Sequence, residues 1–258
     1  MNYKIWFLSC QSILDNGHLT LSKLLLSLFI GSIVFSACRK ENFAPVMDTV
    51  TPCLPQTANP AGRSYTNDSV VDYICTDKHC GILPLSTKNY WVYQDSIYDN
   101  GVFVKVQLDT LRYATTKKSL TDGLTWWQAN NVSIGLPATL YANDSAFFTL
   151  GDRLFTPDVK DARKDYNIPV GDSVKYLTSF DDAAANGKSI KLQEPVKTSA
   201  GEYDDCIYFE KNARFYRKDQ VFFKPGLGVV KYIYERVVPG SPVLKLQQVS
   251  TLVAYHIE

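Results

Sequence analysis

Tyr90-Trp91-Val92-Tyr93-Gln94-Asp95-Ser96-Ile97-Tyr98-Asp99-Asn100-Gly101-Val102-Phe103-Val104-Lys105-Val106-Gln107-Leu108-Asp109-Thr110-Leu111 is the stretch that decides the fold. Two runs rich in aromatic and β-branched residues flank an Asn-Gly pair. Both central residues of a type I′ turn need positive φ, so Asn-Gly between such runs predicts a two-stranded hairpin. Period-two alternation puts Val102, Val104, Val106 and Leu108 on one face and Phe103, Lys105, Gln107 and Asp109 on the other. The expectation is that the first face meets a core and the second meets water.

The same texture continues to the C-terminus. Alternating runs at 146–150, 153–156, 173–180, 189–193, 203–210, 220–224, 229–237 and 243–257, with the hairpin, make about ten strands. Turn residues punctuate them, notably Lys224-Pro225-Gly226-Leu227-Gly228 and Pro239-Gly240-Ser241-Pro242. Strands that follow one another through short turns form an antiparallel meander, so the fold class expected is all-β, a curved sheet or open barrel. In the last run alternation breaks near Gln247 and Gln248, which predicts a bulge. Residues 124–130 and 158–165 are the places where two helical turns are expected.

N-terminal to the hairpin the composition changes. Residues 39–86 hold Pro45, Pro52, Pro55, Pro60 and Pro84 among small polar residues and read as a tether, with 70–74 able to dock on the domain. Further back, Leu24 to Phe35 is an uncharged apolar run preceded by Lys23, shorter than a membrane-spanning helix and suited to a cleaved signal. The organisation expected is a signal at 1–37, a tether at 38–86 and a β-rich domain at 87–258.

The run ends in Phe35-Ser36-Ala37-Cys38, which resembles the lipobox of bacterial lipoproteins. The resemblance implies cleavage after Ala37 and acylation of Cys38, whose chains would hold the protein on a membrane. Arg39, in place of the Asp that commonly retains lipoproteins at the inner membrane, favours the outer one. The pairing of Tyr90-Trp91-Val92-Tyr93 with Pro225-Gly226-Leu227-Gly228-Val229-Val230 is similar to a group of uncharacterised Gram-negative lipoproteins. That group has no assigned activity and transfers no functional residue.

Charge excludes one class of partner. Removing Lys4, Lys23 and Asp15 with the signal leaves acids and bases equal, without the basic excess a nucleic-acid binder uses to neutralise phosphates. Cys75 and Cys80 are expected to close a small disulfide loop in an oxidising compartment, while Cys53 and Cys206 have no assigned partner. Cys75-Thr76-Asp77-Lys78-His79-Cys80 lacks the second close cysteine pair of a structural zinc site, so no metal is expected.

Catalytic signatures are missing from the sequence. His79 and His256 are the histidines left beyond Cys38, and they read as solvated loop and strand-edge residues. There is no nucleophile elbow, zinc helix, Walker loop or dinucleotide glycine pattern, and no cofactor is implied. The carboxylate pairs Asp181-Asp182 and Asp204-Asp205 are adjacent, so on a strand they would point to opposite faces. What stands out is an aromatic surplus: 28 of 33 aromatic residues lie beyond Cys38. Trp126-Trp127 is singled out as a possible ligand contact, because two adjacent tryptophans do not easily both enter one core. The leading expectation is a non-enzymatic module binding a protein, glycan or apolar ligand. A hydrolase with a dispersed site and a purely structural envelope protein are the rivals.

Overall fold

The computed structural model describes residues 54–60, 64–75, 79–153, 156–180 and 182–258. The signal-like stretch, Cys38, Cys53 and the side chain of Cys80 lie outside the described residues. Two short strands, β1 (Leu54–Pro55) and β2 (Ser64–Thr66), lead through a 3-10 turn (Asn67–Ser69) to β3 (Val70–Tyr73) and β4 (His79–Cys80). The hairpin is β5 (Tyr90–Asp99) and β6 (Val102–Leu111). Next come β7 (Tyr113–Ser119), β8 (Thr125–Ala129), β9 (Thr139–Asn143), β10 (Ala146–Arg153) and β11 (Thr156–Asn167). The last part holds β12 (Ser173–Ser179), β13 (Ala184–Lys191), β14 (Val196–Thr198), β15 (Gly201–Tyr203), β16 (Ile207–Ala213), β17 (Arg217–Lys224), β18 (Gly228–Val237) and β19 (Leu244–His256).

The fold is all-β and antiparallel apart from the short parallel β1-β4 pair, and beside the small β14-β15 hairpin its consecutive strands pair as a meander divided between two large sheets. One has seven strands in the order β2-β11-β10-β9-β8-β7-β3, the other eight in the order β12-β13-β16-β17-β18-β19-β5-β6. The hairpin turn is as read, with Asn100 at φ 54° and Gly101 at 86°. The bulge in β19 also falls where alternation breaks: Tyr234 faces Gln248 and Glu235 faces Leu246, so Gln247 is the extra residue.

The seven-stranded sheet is an open barrel. Its edge strands β2 and β3 are consecutive in the chain, separated by Asn67–Ser69, and four residue steps span at most about 15 Å. The sheet therefore curls until its edges approach. Tyr65 on β2 accordingly meets Trp126 on β8 at 5.9 Å between ring centres. The interior is filled by Tyr65, Val70, Trp126, Tyr141, Ala146, Phe148 and Leu150.

The alternate residues of the same strands point outward and pack on the eight-stranded sheet. Trp127, Leu140, Phe147 and Tyr166 meet Trp91, Tyr93, Phe209, Val221, Phe223 and Tyr232 in one cluster. Phe147 bridges the layers with edge-on contacts to Phe223 at 5.1 Å and Phe209 at 5.8 Å. The two motifs behind the lipoprotein-like resemblance touch here: Trp91 Nε1 donates to Leu227 O at 2.7 Å and Tyr93 OH to Val229 O at 2.8 Å. Gly228, at φ 129°, lets the backbone approach, since a Cβ there would stand 3.0 Å from Trp91 Nε1.

Four expectations are corrected. Residues 124–130 and 158–165 form β8 and part of β11 instead of helical turns: β8 is covered on both faces and needs no polar alternation, while β11 is held in the sheet by its pairing with β10. The tether is shorter than its composition suggests: 64–73 contributes both barrel edges, with Tyr65 and Val70 buried. Trp126 and Trp127 are both wholly buried, because β8 separates two cores. Finally, Val102, Val104, Val106 and Leu108 are exposed; Asp95 and Gln107, and Trp91 and Leu111, face each other on the side toward the barrel, leaving the valine face of β6 in solvent.

Candidate functional site

Charged residues enter the inter-sheet layer at one end of the molecule. On β16, Ile207, Phe209, Lys211 and Ala213 are the buried alternate positions, and on β17 they are Asp219, Val221 and Phe223. Lys211 faces Asp219 across the ladder. Asp165 on β11 reaches the same place from the barrel side and takes Lys211 Nζ on Oδ1 at 2.5 Å. Asp219 is held by both arms of Arg217, with Nε to Oδ1 and Nη2 to Oδ2 each at 2.8 Å.

Phe180 organises these cations. Lys211 Nζ lies 4.8 Å from its ring centre and the Arg217 guanidinium 4.7 Å, and Arg217 also covers Tyr234 at 4.7 Å. Cations stacked on aromatic faces in a desolvated layer are attracted by the ring quadrupole, and each such contact contributes about 1–2 kcal/mol. Burial raises the Asp219 carboxyl, and the hydrogen bonds and charge of Arg217 pull it back only in part. Burial opposes the Arg217 charge but is outweighed by Asp219, so its proton is held more firmly than usual. Burial, reinforced by the Asp165 and Asp219 charges, pushes Tyr166 upward, which makes it a fixed hydrogen-bond donor, here to Gly135 O at 2.8 Å.

This charged layer floors a cleft of about 490 Å³. Its walls come from the loop before β9, from β10 and β11, from the end of β12, and from β16 and β17. At its margin Tyr216, 40 % exposed, donates to Asp182 Oδ2 at 2.6 Å and meets the Phe180 ring edge-on at 6.1 Å. Oriented carboxylates, guanidinium and tyrosine hydroxyl beside an available ring form a surface that accepts and donates hydrogen bonds in fixed directions. Asp165 and Asp219 are each committed to a cation.

The residues singled out from sequence fall elsewhere. Trp126 and Trp127 offer no surface on which a ligand could stack, and neither indole N–H has a hydrogen-bond partner among the described residues. Asp204 and Asp205 are exposed, and Lys224 Nζ binds Asp204 O at 2.7 Å. Of the other pair, Asp182 reaches the cleft, while Asp181 lies outside the described residues. Cys206 is a free buried thiol, pushed up to about 11 by burial. His256 stacks on Tyr90 near the surface at 5.6 Å. His79 departs from its solvated reading: it is buried, edge-on to Trp127 at 5.2 Å, with Nε2 3.6 Å from Cys75 Sγ and Nδ1 against the Gln56 amide. Among the described residues no group of three or more His, Cys, Asp or Glu side chains could hold a metal ion.

The cleft residues Asp165, Phe180, Lys211, Arg217 and Asp219 went unrecognised in the sequence. The available signal was a charge in register with the apolar positions of a strand, as Lys211 is with Ile207 and Phe209. Ending one run at 210 and starting the next at 220 hid it.

No protein-family model matches this chain, and no curated protein matches it either. Among solved structures, a candidate lipoprotein from Parabacteroides distasonis aligns at 12% identity, over 69% of this chain and 99% of that one, with a TM-score of 0.35. At that depth the likeness bears on neither family nor function.

Proposed function

We propose that this chain is a lipid-anchored envelope protein that binds a small polyhydroxylated ligand, a glycan fragment, without transforming it. The anchor rests on Phe35-Ser36-Ala37-Cys38. The binding reading rests on the cleft: a buried, charge-balanced floor with Tyr216 and Asp182 at its margin suits hydroxyl groups and a sugar face better than an apolar or strongly charged ligand. Because both buried carboxylates are held by cations, the floor serves orientation.

Calorimetric titration of the chain with a panel of envelope and host glycans tests the ligand class. Binding that Tyr216→Ala and Asp182→Asn each weaken about tenfold, with folding unchanged, is the expected result. A panel without binders, or affinity indifferent to both changes, removes the cleft from consideration. The anchor is tested separately, by mass spectrometry of protein from its native membrane, where Cys38 should be the acylated N-terminus.

One contact favours a second reading, a thiol hydrolase. Cys75 and His79 stand as nucleophile and base when the Gln56 amide turns its oxygen to accept from Nδ1–H, so that Nε2 can take the thiol proton. A Cys75–Cys80 bridge would consume that thiol. The mass of the unreduced, alkylated protein separates the two, because a bridge leaves Cys75 unalkylated after unfolding.

A further inference from the structure

β6 ends the eight-stranded sheet, so one side of its backbone has no strand partner among the described residues. On the face turned away from the barrel Val106 and Leu108 are 50 % and 66 % exposed, and Val102, Phe103 and Val104 extend the apolar surface toward the turn. A ten-residue open edge with an apolar face is the arrangement that recruits another strand. The charges decide which strand. Lys105 and Asp109 are of opposite sign, lie on the same face two positions either side of Gln107, and make no ion pair among the described residues, although Asp109 Oδ2 accepts from Gln107 Nε2 at 2.7 Å.

We propose that β6 is a homodimer seam, in which the strands of two copies pair antiparallel about a two-fold axis at Gln107 and join their eight-stranded sheets edge to edge. Directly opposed residues in an antiparallel pair share a face, so a symmetric seam must be centred on a residue. Centring on Lys105 sets lysine against lysine. Centring on Val106 sets Lys105 against Gln107, and centring on Leu108 sets it against Leu111. Only the Gln107 centre places each Lys105 opposite Asp109 of the other copy, forming two ion pairs. The same register sets Val106 against Leu108 twice, so the exposed apolar face continues across the seam. Val104, the extra residue where Tyr98 faces Phe103 and Ile97 faces Lys105, bends the strand at the turn end and confines the new ladder to the Lys105 to Asp109 segment and its immediate flanks.

The test uses the full chain in detergent, its mass followed by light scattering across a dilution series. A concentration-dependent dimer is expected. Lys105→Asp and Asp109→Lys should each raise its dissociation constant about tenfold or more through like-charge contacts, and the double exchange should restore it. Lys105 is exposed, whereas Asp109 is half-buried and accepts from Gln107 Nε2 at 2.7 Å, so circular dichroism verifies the fold of each variant and the Lys105→Asp exchange carries the test by itself where Asp109→Lys fails to fold. Gln107→Cys, opposite itself on the axis, should give a covalent dimer on mild oxidation, whereas Lys105→Cys alone should not. A chain monomeric up to its solubility overturns the inference. So does a dimer indifferent to the charge exchanges, or a Gln107→Cys thiol that couples only to other proteins or to another segment of its own chain.

Discussion

β8 and β6 carry apolar residues under opposite circumstances. In β8 two adjacent tryptophans have no exposed surface, one inside the barrel and one between the sheets. In β6 a regular alternation that reads as half-buried leaves its apolar half in solvent. Whether a strand face is buried depends on what the chain lays over it, and the pattern within the strand does not supply that information. The segment from Ser64 to Tyr73 closes the barrel over Trp126, while nothing among the described residues lies over the valine face of β6.

The strongest way to break this contrast is to cut back the two tryptophans. Trp126→Ala and Trp127→Ala should each destabilise the chain by about 3–5 kcal/mol, read as the shift of a denaturant midpoint at constant slope. A small cost at either position would mean that one of the two layers is not packed. Trp127→Phe should cost clearly less than Trp127→Ala, since the indole N–H has no partner to lose.

The inner side of the hairpin gives a second, smaller effect. Burial pushes Asp95 up to about 6; hydrogen bonds from Ser250 and Gln248 oppose this, and the neighbouring Asp109 carboxyl adds to it. The folded chain thus binds this proton more tightly than the unfolded one, whose carboxyl titrates near 3.8. Its contribution to stability is complete below that value and is lost as pH rises through about 6. Asp95→Asn should therefore gain about 1–3 kcal/mol over the parent at pH 7, with the difference shrinking toward pH 4. Urea titrations of both proteins at several pH values check it, and a difference that does not vary with pH would refute the proton assignment.

The smallest effect belongs to the exposed turn end of β6. Val102→Thr, at a position 69 % exposed and outside the proposed seam ladder, should change stability by less than about 0.5 kcal/mol. A larger loss would show that some element covers β6, and thermal unfolding is sensitive enough to see it.

Local chemistry was legible wherever neighbours in sequence decide the outcome. Asn100-Gly101 turned as read, Gln247 bulged where alternation failed, and 70–74 docked through β3. The two motifs of the lipoprotein-like resemblance were visible as well, although not that Trp91 and Tyr93 are anchored to the turn carrying Gly228. The candidate site was not legible. Lys211 and Asp219 are neighbours through strand pairing, and Asp165 joins them from the other sheet, so no window along the chain contains the cluster.

By itself the sequence determined that the chain is antiparallel β, where its hairpin turns, and that its start resembles an anchoring signal, because turn φ values, side-chain alternation and a short apolar run are set by residues a few positions apart. Only tertiary structure decided that the first short strands close a barrel, that both tryptophans are core, and that charges converge under a cleft. Those outcomes depend on which faces of distant strands come into contact, and dehydration of a face is a property of the pair of surfaces.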